Sequence, residues 1–133
     1  YWQAMGYPPC AMCWWQRYPH MAAVGIGALA LMVRGPALPL LGLLAALAAA
    51  ALGVLHTGVE RDWWDVATRC TSGADLGGLS GADLLSVEGD RAVMCDQVSW
   101  AWAGLSMASW NAVLSFALAG VWALAVRASL RRA

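Results

Sequence analysis

The sequence predicts an all-α membrane protein with three full spans, and three observations carry that prediction. Hydrophobic residues make up 61% of the 133 residues and charged ones 12%, whereas soluble domains are about half apolar and about a quarter charged; mean hydropathy is +0.58. Three uncharged runs, 18–33, 35–59 and 97–126, each supply the ~20 apolar residues of a spanning helix, the first when counted from Trp14. All 8 acids, Glu60, Asp62, Asp65, Asp75, Asp83, Glu88, Asp90 and Asp96, fall in one interval between the second and third runs.

Taken in order, Tyr1–Gly6 is too short to span and reads as the tail of a truncated first helix. Residues 1–13 then form the end of that helix and an outer loop holding Cys10 and Cys13. A first span is expected over 14–33 and a second over 37–56. An aqueous loop follows over 57–99, with Cys70 and Cys95; a third span covers 100–126, and 127–133 form a tail. Pro8-Pro9 suit the opening of a helix, because proline at the first helical position gives up only a donor that has no partner there. Pro19 is expected to break or bend the helix near Trp15. Gly42 and Gly53 permit close helix contact. Trp14, Trp15 and Tyr18 form an aromatic belt, and Trp63 and Trp64 rest on the membrane surface.

Parity fixes the sidedness. With three successive spans, the segment before the first and the loop between the second and third share one face, so Cys10, Cys13, Cys70 and Cys95 share it too. Arg34, Arg127, Arg131 and Arg132 lie on the other face, which their positive charge marks as cytoplasmic. The cysteines therefore face a compartment in which disulfides persist. No basic stretch is interleaved with aromatics, so nucleic-acid binding has no support.

The chemistry concentrates in Cys10-Ala11-Met12-Cys13-Trp14-Trp15-Gln16-Arg17. A thiol at a helix N-terminus with a cation nearby is biased toward thiolate, the form that attacks disulfides and leaves from them. Arg17 stands four residues after Cys13 on the same helical face; it serves either as that cation or as an interfacial anchor. A zinc site is the weaker reading of Cys10 and Cys13, because Cys70 and Cys95 make no second close pair. His56 ends the second span at the depth of Cys13 and Arg17, either as a wetted helix end or as a group that donates to a quinone carbonyl or passes a proton. Ser106, Ser109 and Asn111 lie near the outer end of the last span, chiefly as packing residues, with Asn111 also able to hydrogen-bond between helices or toward a ligand.

Cys70 and Cys95 bracket a loop with Gly73, Gly77, Gly78, Gly81 and Gly89, flexible apart from a short helix near Ala82–Val87. Joining them closes a loop of roughly 26 residues, a staple of about 3.5 kcal/mol by the chain-entropy formula. The loop has few large apolar residues to form a core that needs stapling, and an exposed disulfide is readily exchanged. Four cysteines allow three pairings, which remain open at this point.

Pro9-Cys10-Ala11-Met12-Cys13, Arg17, His56, Cys70 and Cys95, with Trp102-Ala103-Gly104-Leu105-Ser106-Met107, together resemble the DsbB family of bacterial disulfide bond formation proteins. The resemblance covers nearly the whole chain and implies a four-helix transmembrane bundle, of which three full spans and a stub of the first are visible here. It implies an inner-membrane enzyme that reoxidises a DsbA-like periplasmic thiol oxidase and passes the electrons to ubiquinone or menaquinone, without a metal. Carried across, Cys70 forms the mixed disulfide with the partner, Cys95 exchanges with Cys10, and Cys13 is released as the thiolate that meets the quinone. Arg17 and His56 are the quinone-proximal residues. The loop lacks the long amphipathic surface segment of the best-known members. Two competing readings are a structural or binding membrane protein stapled by two disulfides, and a relative of the vitamin K epoxide reductases. In the latter the membrane-embedded pair follows the loop pair, whereas Cys10 and Cys13 come first.

Overall fold

A computed structural model describes residues 10–64, Cys95, Val98 and residues 100–132. Three helices dominate it: α1 (Ala11–Met32), α2 (Ala37–Glu60) and α3 (Met107–Leu130), with a two-stranded ribbon, β1 (Ala101–Trp102) and β2 (Leu105–Ser106), before α3. The helical architecture agrees with the fold class read from the sequence. Cys70, Pro8-Pro9 and the short helix expected near Ala82–Val87 lie outside the described residues.

Each helix boundary has a local cause. Cys10 adopts an extended backbone and its sulfur accepts the Cys13 N–H at 3.2 Å, so the cysteine itself is the N-cap of α1. That helix starts ahead of the expected position 14 and continues through Pro19, which neither breaks it nor ends it. Val33–Pro36 make the turn into α2, with Gly35 at φ +147°, a conformation that side chains disfavour.

The second helix runs one turn past His56, where the sequence suggested its end. The cause is a backbone cap in which the Asp62 N–H donates to Val59 O and the Trp63 N–H to Gly58 O. This Schellman pattern requires a left-handed residue after the cap, and Asp62 supplies it at φ 53° in place of the usual glycine. Trp64 folds back over Gly58 and donates its indole N–H to Leu55 O at 3.1 Å.

The helix within the expected span 100–126 starts later and ends later than that range. Residues 101–106 form a hairpin, with Ala101 opposite Ser106 and Trp102 opposite Leu105, and the helix occupies Met107–Leu130, reaching well into the stretch read as a tail. Ala103 and Gly104 both have positive φ, 52° and 77°, which is the two-residue turn whose twist matches paired strands. Ser106 caps α3 by accepting the Ser109 N–H at 3.2 Å. Arg127 lies in the last turn, where a cation complements the helix dipole.

The packing is inverted relative to a soluble core. Gly42, Ala46, Ala49, Ala50 and Gly53 of α2 are buried, as are Ala108, Ala112, Ser115 and Ala119 of α3. Both stripes recur every three or four residues, which puts small residues on one face of each helix and lets the backbones approach. A β-carbon on Gly53 would sit 2.8 Å from the Ala112 backbone nitrogen, and one on Gly42 would sit 2.6 Å from the Trp122 ring. The large apolar side chains, among them Leu40, Leu44, Leu47, Leu114, Phe116 and Val121, face outward. Helices α2 and α3 are each long and apolar enough to cross a membrane; α1 is interrupted in its first half by Gln16, Arg17 and His20.

Candidate active site

The site lies at the end of the bundle where α1 begins and α2 ends. Cys10, Met12, Val59 and Cys95 form a buried apolar cluster, with Cys13 and Leu55 packed against it. Met12 points inward because it follows Cys10 into the first turn, and Val59 because it lies three residues after His56 on the inner face of α2. Cys95 lies far from both in sequence and is 1% exposed. The structure thus brings together the Cys10 and Cys13 pair, Cys95 and His56. Arg17 stays at the periphery, its guanidinium 4.6 Å from the Trp14 ring centre.

The two sulfurs of the N-terminal pair lie 2.9 Å apart, with the Cys10 thiol directed at Cys13 Sγ. Cys10 and Cys13 both precede the 14–33 stretch read as the span. Because Cys10 donates its proton to Cys13, the Cys10 thiol is held well above its ordinary range and Cys13 is drawn down to about 7. The Arg17 charge acts on Cys13 in the same direction. The asymmetry makes Cys13 the thiolate of the reduced pair and Cys10 its proton donor.

His56 Nε2 lies 3.7 Å from Cys10 Sγ, and the ring also hydrogen-bonds to the Cys95 backbone. The metal-capable atoms of Cys10, His56 and Cys95 all lie within 4.8 Å of one another, and all three residues are buried. On the far side of the ring, His56 Nδ1 lies 2.7 Å from Gln16 Nε2, and Gln16 Oε1 accepts from Asn111 at 2.7 Å. One turn beyond His56, Glu60 accepts a hydrogen bond from Ser106, the residue that caps α3. Ser109 continues the contact to Ser106 at 3.0 Å and to Thr57 at 3.2 Å.

The structure gathers Cys10, Cys13, Cys95 and His56 and adds two residues that the sequence reading did not single out, Gln16 and Glu60. Both carried a signal. Gln16 is a polar residue within an apolar helix, one turn past Cys13, and such residues in membrane helices face partners. Glu60 follows His56 by four residues on the same face of α2. Asn111, for which the sequence offered an interhelical hydrogen bond beside a packing role, is the polar link between α3 and Gln16.

The chain matches the family described as "Disulfide bond formation protein DsbB" over residues 1–125. No curated protein and no solved structure matches it.

Proposed function

Since the chain belongs to the DsbB family of membrane disulfide bond formation proteins, we propose that it reoxidises a DsbA-like periplasmic dithiol protein and passes the electrons to a membrane quinone. The observation that supports this reading most directly is the burial of Cys95 against Cys10, sulfur within 4.8 Å of sulfur, beside Cys13. Two cysteines that merely stapled separate segments have no need to share a pocket with a second pair.

In this reading the reduced partner attacks Cys70, and its two electrons reduce the Cys70–Cys95 bond. The Cys95 thiolate then attacks Cys10 Sγ. A Cys95–Cys10 bond forms, the Cys10–Cys13 bond breaks, and Cys13 leaves with the electron pair, a departure that the Arg17 charge favours. Cys70 attacks Cys95 in turn and frees Cys10, which leaves the outer pair oxidised and the inner pair as a dithiol. The partner's two electrons have moved inward without loss.

The residues around Cys13 fit a planar apolar acceptor bearing carbonyl groups. Cys13 is the more accessible cysteine of the pair, Arg17 is an exposed cation one turn along, and Trp14, Trp15 and Tyr18 offer exposed aromatic surface. Arg17 would hold a ubiquinone or menaquinone by its carbonyl group. A quinone supplies a sink for the two electrons and two protons released when the Cys10–Cys13 bond re-forms. His56 lies deeper, between the two pairs. In this reading the cysteines occupy the periplasmic side of the inner membrane, and Arg34, Arg127, Arg131 and Arg132 at the opposite ends of the helices support that sidedness.

Purified protein supplied with a quinone and a reduced DsbA-like protein tests the reading. Quinone absorbance should fall in step with oxidation of the partner, and Cys13→Ser should abolish the reduction. Normal turnover by that variant would sink the proposal.

A further inference from the structure

His56 is held by a chain of hydrogen bonds whose direction is fixed at one end. The Ala49 carbonyl on α2 can only accept, and Asn111 Nδ2 lies 3.4 Å from it and 2.7 Å from Gln16 Oε1. Asn111 therefore turns its NH2 group toward both. Gln16 in turn has its oxygen toward α3 and its own NH2 toward α2, 2.7 Å from His56 Nδ1. An amide NH2 only donates, so Nδ1 accepts and the neutral ring carries its proton on Nε2. That nitrogen lies 3.7 Å from Cys10 Sγ and 4.0 Å from Glu60 Oε1.

The same direction argues against a metal at Cys10, His56 and Cys95. A ligating imidazole coordinates through a bare nitrogen and donates its other N–H to an acceptor. Gln16 offers His56 a donor instead, which leaves a proton on the nitrogen that faces the sulfurs.

We propose that Gln16 and Asn111 are positioning residues that lock His56 as its Nε2–H tautomer and aim that N–H at the Cys10 and Cys95 sulfurs. The inference rests on the reading above, in which Cys95 exchanges with Cys10. His56 keeps its proton throughout. It hydrogen-bonds the Cys95 thiolate before attack on Cys10, and the Cys10 thiolate when Cys70 later displaces it. All electrons stay within the four cysteines in these steps. A hydrogen bond to a charged sulfur is stronger than one to a neutral group, so the ring favours the states in which negative charge passes between the pairs.

The protein carries its own reference. His20 Nδ1 lies 2.9 Å from the Gln16 carbonyl, which can only accept, so His20 is the opposite tautomer. Protein labelled with 15N-histidine, at about pH 8 where unperturbed rings are neutral, should show one ring of each type by NMR. His20→Asn should remove the Nδ1–H ring and leave the Nε2–H ring. In Gln16→Leu, and separately in Asn111→Leu, the His56 signals should shift toward a mixture of tautomers. Formation of the Cys10–Cys95 bond after addition of a reduced DsbA-like protein, trapped by acid quench and mapped by mass spectrometry, should slow about tenfold, or ~1.36 kcal/mol. An Nδ1–H ring at His56 in the parent protein overturns the proposal. So does an unchanged exchange rate in both folded variants. A parent chain that shows the expected rings but never forms the Cys10–Cys95 bond refutes the relay, and leaves the tautomer assignment standing.

Discussion

Cys95 is buried against Cys10 with the two sulfurs within 4.8 Å of each other, although 85 positions of sequence separate them. A disulfide holds its sulfurs about 2.05 Å apart, so the two must close by no more than about 2.8 Å to bond. With Cys13 and Cys70 both changed to serine, mild oxidation should join Cys10 to Cys95 within one chain. Peptide mapping checks it. Recovery of both thiols unoxidised, or of chains cross-linked only to one another, would show that the contact does not support exchange.

The low pKa of Cys13 depends on its neighbour. Its largest cause is the hydrogen bond from Cys10, so the thiolate should persist down to about pH 7 and be lost by protonation below that. Alkylation of the reduced protein by iodoacetamide should accordingly rise with pH at Cys13, with a midpoint about 7, while Cys10 stays slow across the same range. Cys10→Ala removes the donor and should move the Cys13 midpoint upward toward the ordinary thiol range. Cys10→Ser keeps a hydroxyl donor and should move it less. Residue-resolved alkylation rates by mass spectrometry decide the matter, and equal midpoints in all three proteins would contradict the assigned cause.

The sequence made the helices and the cysteine chemistry legible for local reasons. Uncharged runs mark the helices, and the Cys-x-x-Cys spacing with a cation one turn later marks the dithiol. What it hid was set by contacts between distant residues or by unusual turn residues. Gln16 stands out as a polar residue in an apolar helix, but its partners His56 and Asn111 lie on two other helices, and only their joint geometry fixes the orientation of the amide. The extra turn of α2 was hidden because Asp62, and not glycine, takes the left-handed position of the cap. The ribbon before α3 was hidden for the same reason, since alanine rarely opens such a turn and Ala103 does so here. Trp102 and Trp110, with ring centres 5.3 Å apart, and the indole N–H of Trp110 on Trp102 O at 3.0 Å help hold that ribbon to the helix.

Two of the crowded glycines of α2, Gly42 and Gly53, should respond differently to the same small change. At Gly53 a β-carbon would meet Ala112 nitrogen at 2.8 Å and its α-carbon at 3.0 Å. Those atoms are helix backbone and cannot yield without moving α3, so Gly53→Ala forces α2 and α3 apart. At Gly42 the obstacle is the Trp122 ring at 2.6 Å, a side chain that is only partly buried and can swing toward the outer face. Overpacking typically costs about 1–3 kcal/mol; Gly53→Ala should fall in that range or above and Gly42→Ala below it. The separation of α2 and α3 should also weaken the Asn111 contacts to Gln16 and Ala49, because Asn111 adjoins Ala112 on α3. Gly53→Ala should therefore slow Cys10–Cys95 exchange even where the protein remains folded, whereas Gly42→Ala, several turns away, should leave it unchanged. Thermal unfolding midpoints in detergent, paired with exchange rates on the folded fraction, check both halves. A larger loss of stability at Gly42 than at Gly53 would show that the Trp122 ring, and not the α2–α3 backbone contact, sets the packing distance.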